Sequence, residues 1–204
     1  MTEPLRILLA DDQALIRGAM AALLSMEPDL QVVAETGDGT DVVDLVRDHR
    51  VDVALIDIEM PGIDGIAVVA RLTASGLPCR SVIVTTFGRP GYLRRALAAG
   101  ASGFVVKDTP ADQLAAVVRR VHAGLRVIDP SVAEEDALAG ANPLTGRERD
   151  VLRGALTGAT VRQLAADLHL SVGTVRNHLS AAIGKTSATT RTEAAVAAQR
   201  HGWL

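Results

Sequence analysis

Two acidic side chains, Asp11 and Asp12, stop the apolar run "RILLA", and a third, Asp57, ends the apolar stretch Val53, Ala54, Leu55 and Ile56. Carboxylates at the lips of core strands do no packing; grouped, they are ligands for a hard cation, or a nucleophile held for group transfer. Two unit charges about 4 Å apart repel by roughly 4 kcal/mol at an effective dielectric near 20. Three acids on one edge therefore call for a divalent cation. Mg2+ suits a few carboxylates, a carbonyl and waters, and leaves positions open for phosphate oxygens. Lys107 ends "GFVVK" and Thr85 stands near the end of "SVIVTT", offering an ammonium and a hydroxyl to the same edge. Singly, a strand-end lysine is a solvated charge and a threonine a good strand former. Their coincidence at strand ends is the signal.

The elements that must bring these groups together are legible in the alternation of patterns. Short β-type runs at 6–10, 32–35, 53–57, 81–86 and 103–107 alternate with amphipathic helical segments near 13–25, 40–48, 65–74, 91–99 and 111–123. Parallel strands need crossover helices, and near-continuous apolar runs fit burial on both faces. The expected fold is α/β: a flavodoxin-like, doubly wound, five-stranded parallel sheet of order 2-1-3-4-5, with a second, smaller all-α domain. In that order strands one and three adjoin, so Asp11, Asp12 and Asp57 converge at the crevice where such sheets bind ligands. Residues 126–142 break the pattern and read as a linker with one short helix, starting after Asp129 with Pro130 at its first position.

Composition narrows the class. No stretch approaches the roughly 20 apolar residues that span a bilayer, so the expectation is a cytoplasmic protein without a membrane partner. Cys79 is the only cysteine, which excludes an internal disulfide and suits a small buried hydrophobe. Up to residue 142 there are 20 acidic and 13 basic side chains, against 4 and 8 from Pro143 onward. An acidic first part suits cations, and a basic tail suits a polyanion.

That tail carries no strand pattern. Thr145 and Glu148 form a capping box ahead of Val151, Leu152 and Ala155; Val161, Leu164, Ala165 and Leu168 form a second apolar stripe. Ser171 caps a third helix with an inward stripe of Val175, Leu179, Ala182 and Ile183, and a fourth helix runs from about Arg191 to His201. Helix, short turn and capped second helix make a helix-turn-helix pattern, whose second helix enters the major groove of double-stranded DNA. Thr174, Arg176, Asn177 and Ser180 then face outward. Arg reads guanine and Asn adenine, while Thr174, His178 and Lys185 suit phosphates.

Residues 1–125 resemble the receiver domain of two-component response regulators through "ADD", "LIDIEMPGIDG", "TTF" and "GFVVKD", in order along the domain. The resemblance implies that Asp57 accepts a phosphoryl group from the phosphohistidine of a sensor histidine kinase. It implies that Asp12, helped by Asp11, holds Mg2+ with Asp57 and the backbone carbonyl of Glu59, and that Lys107 pairs with the phosphoryl oxygens. Thr85, followed by Thr86, would bond the phosphoryl group and draw the strand-four loop inward, letting Phe104 turn into the space vacated. Residues 143–204 resemble the LuxR-type DNA-binding domain through "LTGRERDVL", "LSVGTVRNHLSAAIGK" and "RTEA". The two together resemble the NarL/FixJ family, and "TTFGRPGYLRRAL", "RVIDP" and "GWL" are most similar to its DesR-like subgroup. The implied function is a phosphorylation-controlled transcriptional regulator. Its implied partners are the kinase, promoter DNA, a second copy of the chain upon phosphorylation, and RNA polymerase. The first apolar helix (Leu15, Ala19, Ala22) and the fifth are the candidate dimer surfaces. Two alternatives remain at this level. One is an atypical regulator independent of phosphorylation, which the complete acidic set opposes. The other is a Mg2+-dependent phosphohydrolase with Asp57 as nucleophile; such enzymes place a second Asp two residues on, where this chain has Glu59.

Overall fold

The computed structural model describes residues 3–86, 91–138 and 142–204. They form two compact units, one running to Glu134 and the other from Glu135 to Leu204, with the start of the fourth helix grouped with the second.

In the first unit the five expected apolar runs are strands β1 (Leu5–Ala10), β2 (Leu30–Thr36), β3 (Val53–Asp57), β4 (Arg80–Thr85) and β5 (Gly103–Val106). They alternate with helices α1 (Ala14–Leu24), α2 (Val42–Asp48, after a 3-10 turn at Gly39–Asp41), α3 (Gly65–Ser75), α4 (Tyr92–Ala99) and α5 (Ala111–His122). All pairings are parallel, so every connection is a crossover. All five residues of β3 are buried, as a central strand covered on both faces requires. Ile7, Leu9, Leu55, Val82, Val84 and the α5 residues Leu114, Val118 and Val121 close one core against the sheet.

Among the described residues the sheet has six strands, not the expected five, in the order β2-β1-β3-β4-β5-β6. The sixth, β6 (Val127–Ile128), lies in the stretch read as linker. Val127 N–H reaches the Ser102 carbonyl at 3.1 Å and Asp129 N–H the Phe104 carbonyl at 2.9 Å, so it covers the open edge of β5. Two residues are too few to show alternation, and only the waiting edge selects them. The short helix after it is present: α6 (Pro130–Leu138) starts on Pro130, and the Asp129 carboxylate accepts the Ser131 N–H at 2.9 Å. Cys79 is part-buried, and burial pushes its thiol up to about 12, so it is no thiolate nucleophile.

The second unit is helical: α7 (Gly146–Leu156), α8 (Val161–Asp167), α9 (Val172–Lys185) and α10 (Arg191–Arg200). Thr145 and Glu148 form the expected capping box, and Thr160 with Gln163 forms another ahead of α8. Val151, Leu152, Leu164, Val175, Leu179, Ala182 and the small face Ala194, Ala195 and Ala198 close the core, with Trp203 and Leu204 packed against it. Among the described residues no helix is long and apolar enough to cross a membrane.

Candidate functional site

Strand register explains why the acids meet. Ala10 pairs with Ile56 across β1 and β3, so Asp11 and Asp57 are the next residues along, at the carboxyl ends of the two strands. Asp57 itself pairs with Val84 on β4, and Thr85 pairs with Val106 on β5. The Lys107 N–H then bonds the Thr85 carbonyl at 2.7 Å, placing the lysine on the same edge.

Asp11 and Asp57 are 0% and 4% exposed, while Asp12 is open to solvent. One carboxylate oxygen from each of the three lies within 4.8 Å of the others, a set able to hold a hard cation. The Lys107 ammonium stands 2.7 Å from Asp11 Oδ2 and 3.0 Å from Asp57 Oδ2. The remaining carboxylate oxygens take backbone donors: Ile58 N–H on Asp57 Oδ1 at 2.8 Å and Gln13 N–H on Asp11 Oδ1 at 2.9 Å. Burial pushes the Asp57 carboxyl above its ordinary value, Lys107 pulls against that shift, and the Asp11 charge adds to it. Burial works against the Lys107 ammonium too, but its bonds to Asp11 and Asp57 outweigh it and hold the pKa up. One buried cation facing two buried anions leaves negative charge over, and the third acid increases it. The donor set therefore fits a divalent cation beside a nucleophilic carboxylate.

The other expected members are distributed around this cluster. Thr85 is buried and Thr86 exposed. Phe104, expected to swing inward, is fully buried. Glu59 is exposed two residues beyond Asp57. The strand-four loop expected to move includes residues 87–90, which lie outside the described residues. Two participants escaped sequence reasoning. Gly65 opens α3, and a β-carbon there would collide with the Asp57 carbonyl, so glycine lets the helix start directly under the end of β3. The Arg17 guanidinium donates to the Asp11 carbonyl. Gly65 follows the helix cap Asp64, a usable signal; six residues separate Arg17 from Asp11 with none.

The second site is α9. His169, in the left-handed region at φ 53°, turns the chain after α8, and Ser171 caps α9 by accepting the Thr174 N–H at 3.0 Å. Val175, Leu179 and Ala182 face the core, with Ile183 half-buried. Arg176, Asn177 and Ser180 face solvent, and Thr174 and His178 are half-buried beside them. Lys185 departs from expectation. Its ammonium bonds both carboxylate oxygens of Glu148, at 2.9 and 2.8 Å, so it is committed within the domain rather than free for a phosphate. Glu148 is 5% exposed and also accepts the Thr145 N–H at 2.7 Å. Burial pushes its carboxyl up, but the Lys185 and Thr145 hydrogen bonds outweigh burial and hold it below its ordinary value.

A cluster of carboxylates with a buried lysine in the crevice of a doubly wound sheet, joined in one chain to a helix-turn-helix unit, is the arrangement of a two-component response regulator. The response regulator receiver domain profile matches residues 7–119, and that of the bacterial regulatory proteins of the luxR family matches residues 142–198. The transcriptional regulatory protein DesR of Bacillus subtilis is 39% identical over 97% of this chain and 98% of its own. A probable transcriptional regulatory protein NarL of Mycobacterium tuberculosis is 31% identical over 99% of this chain and 97% of its own. The crystal structure of ChrA, a response regulator of a heme-sensing two-component system, aligns over 100% of both chains with a TM-score of 0.62 and 32% identity. The chain belongs to the NarL/FixJ family of response regulators. It is a phosphorylation-dependent, DNA-binding transcriptional regulator and not an enzyme, which sets aside the phosphohydrolase alternative.

Proposed function

We propose that Asp57 is the phosphoacceptor, loaded by the phosphohistidine of a sensor histidine kinase in the cytoplasm. The observation that carries this reading is the buried Asp57 carboxylate 3.0 Å from Lys107, with Asp11 and Asp12 beside it. An Asp57 carboxylate oxygen attacks phosphorus, the P–N bond to the imidazole breaks, and the departing nitrogen keeps the electron pair. An acyl phosphate results. Ile58 N–H and Lys107 hold the carboxylate in place, and the Lys107 ammonium can pair with the arriving phosphoryl oxygens. Asp11, Asp12, Asp57 and the Glu59 carbonyl would hold Mg2+, which when bound offsets the charge on acceptor and phosphoryl oxygens. Thr85 and Thr86 are the hydroxyls that read the phosphoryl group, and Phe104 is the core aromatic next to that switch.

Phosphorylation then brings two chains together on promoter DNA, with RNA polymerase as the downstream partner. Two helix-turn-helix units on adjacent half-sites bind far more tightly than one. Leu15, Ala19 and Ala22 on α1 are all exposed, with Leu15 at 87%, and they are the proposed dimer surface. The apolar stripe of α5 is buried in its own core and is not available for this. Arg176, Asn177 and Ser180 are proposed to face bases, with Thr174 and His178 on phosphates. The functional division is a receiver at 1–125, a connecting segment at 126–142 and a DNA-binding domain at 143–204. The test is incubation with acetyl phosphate and Mg2+ followed by intact mass. One phosphoryl adduct in the wild type, absent in Asp57→Asn, is expected; an undiminished adduct in the variant rejects the assignment.

A further inference from the structure

Arg17 sits on α1, outside the acidic cluster, yet it touches the main chain that carries two of the acids. The reason lies in the sheet. Asp11 N–H still bonds the Thr36 carbonyl at 3.0 Å, as in a parallel ladder. The next rung would bring Asp38 N–H to the Asp11 carbonyl, but β2 has turned at Gly37, and Asp38 N–H bonds Thr36 Oγ1 at 3.1 Å instead. The Asp11 carbonyl thus loses its ladder donor at the peptide linking Asp11 to Asp12. Arg17 Nη1 supplies the missing donor. Its Nε is 3.5 Å from Glu35 Oε2 at the end of β2, an ion pair without a hydrogen bond, so one guanidinium lies between the β1–α1 loop and the β2 edge. The Arg17 side chain is 21% exposed, and a β-carbon on Gly37 would come within 3.4 Å of its Nη1, so the cleft is filled closely.

We propose that Arg17 is a positioning residue for the divalent-cation site: by holding the Asp11–Asp12 peptide it sets the directions in which both carboxylates leave the backbone. This rests on the reading of the acidic cluster as a Mg2+ site. Partners that orient metal ligands commonly contribute about 10- to 100-fold to metal affinity when removed. Charge alone predicts the opposite sign. A cation beside an acidic pocket repels Mg2+, so deleting it would tighten binding if positioning did not matter. Position and charge are therefore separable.

The experiment is calorimetric titration of the full chain with Mg2+ alone. Arg17→Ala is expected to weaken binding about 10-fold, near the lower end for such partners. Arg17→Lys keeps the charge without the fork that serves Asp11 and Glu35 together, and it should weaken binding as well. Glu35→Gln removes the Arg17 anchor together with one exposed negative charge, two losses that both act against Mg2+ binding, and should give a smaller loss because the Arg17 contact with the Asp11 carbonyl remains. Unchanged or tighter Mg2+ binding in Arg17→Ala overturns the proposal. Should that variant not fold, unchanged binding in both Arg17→Lys and Glu35→Gln overturns it. A wild-type chain that takes up no Mg2+ would instead remove the acidic-site reading itself. Wild-type uptake with unaffected variants removes only the role of Arg17.

Discussion

Lys185 and Glu148 join the last turn of α9 to the first turn of α7, the ammonium bonded to both carboxylate oxygens at 2.9 and 2.8 Å. Glu148 also closes the α7 capping box, so one buried carboxylate anchors the N-terminus of α7 and the C-terminus of α9. Lys185→Met leaves that carboxylate without its cation and is expected to cost about 1–3 kcal/mol in urea unfolding. A phosphate-contacting lysine would instead reduce the slope of log affinity against log salt by about 0.9. The expected result is lower stability with an unchanged salt slope for DNA binding. A reduced slope at undiminished stability would return Lys185 to the DNA interface.

The same pair sets a pH dependence. Glu148 has a folded-state pKa held below its ordinary 4.5, so its contribution is fully present above that value and lost as pH falls through the folded one. Trp203, the only tryptophan, packs on the core of this domain and reports on it. The thermal midpoint followed by Trp203 fluorescence should fall on acidification below about pH 4.5 in the wild type. Glu148→Gln retains a capping-box acceptor but no charge. Its midpoint should start lower at neutral pH and depend less on acid.

Asp57 has the opposite sign. Its folded-state pKa is raised above the ordinary 3.8, so the associated stability is present below that value and lost as pH rises through the folded one. At neutral pH the ionised carboxylate is held against burial and the Asp11 charge, with Lys107 offsetting part of the cost. Asp57→Asn removes the charge and should stabilise the receiver domain in Mg2+-free buffer. A thermal midpoint above the wild type is the expected reading, each kcal/mol corresponding to about 3–6 °C for a domain of this size. A midpoint below the wild type at neutral pH would mean that the Lys107 pair dominates the site.

What could be read before folding follows from range. The β–α alternation repeats locally, and Asp11, Asp57 and Lys107 each end a run whose neighbours declare it a strand; once the order 2-1-3-4-5 is inferred, the cluster follows. Strand β6 was not readable because its two residues are chosen by the free edge of β5. Glu148 and Lys185 each had a plausible local role, a cap and a phosphate contact. Their pairing across 37 residues depends on how α7 crosses α9, which no local pattern encodes. Arg17 escaped for a similar reason: its partner is a carbonyl left unpaired by the turn at Gly37, and a carbonyl carries no residue type to recognise.

Arg176 and Asn177 are exposed on consecutive positions of α9, beside a capped N-terminus that orients the helix through the Ser171–Thr174 contacts. A guanidinium makes a bidentate contact with guanine and a carboxamide with adenine, each worth about 1–3 kcal/mol of discrimination against the wrong base. Arg176→Ala and Asn177→Ala should therefore relax preference at one base pair each when the phosphorylated protein is measured against single-base variants of a duplex selected from random sequence. His178→Ala should weaken all duplexes alike, because a phosphate contact carries no sequence information. If Arg176→Ala weakens every duplex equally while His178→Ala alters base preference, α9 lies in the groove in a different rotation from the one its buried stripe of Val175, Leu179 and Ala182 implies.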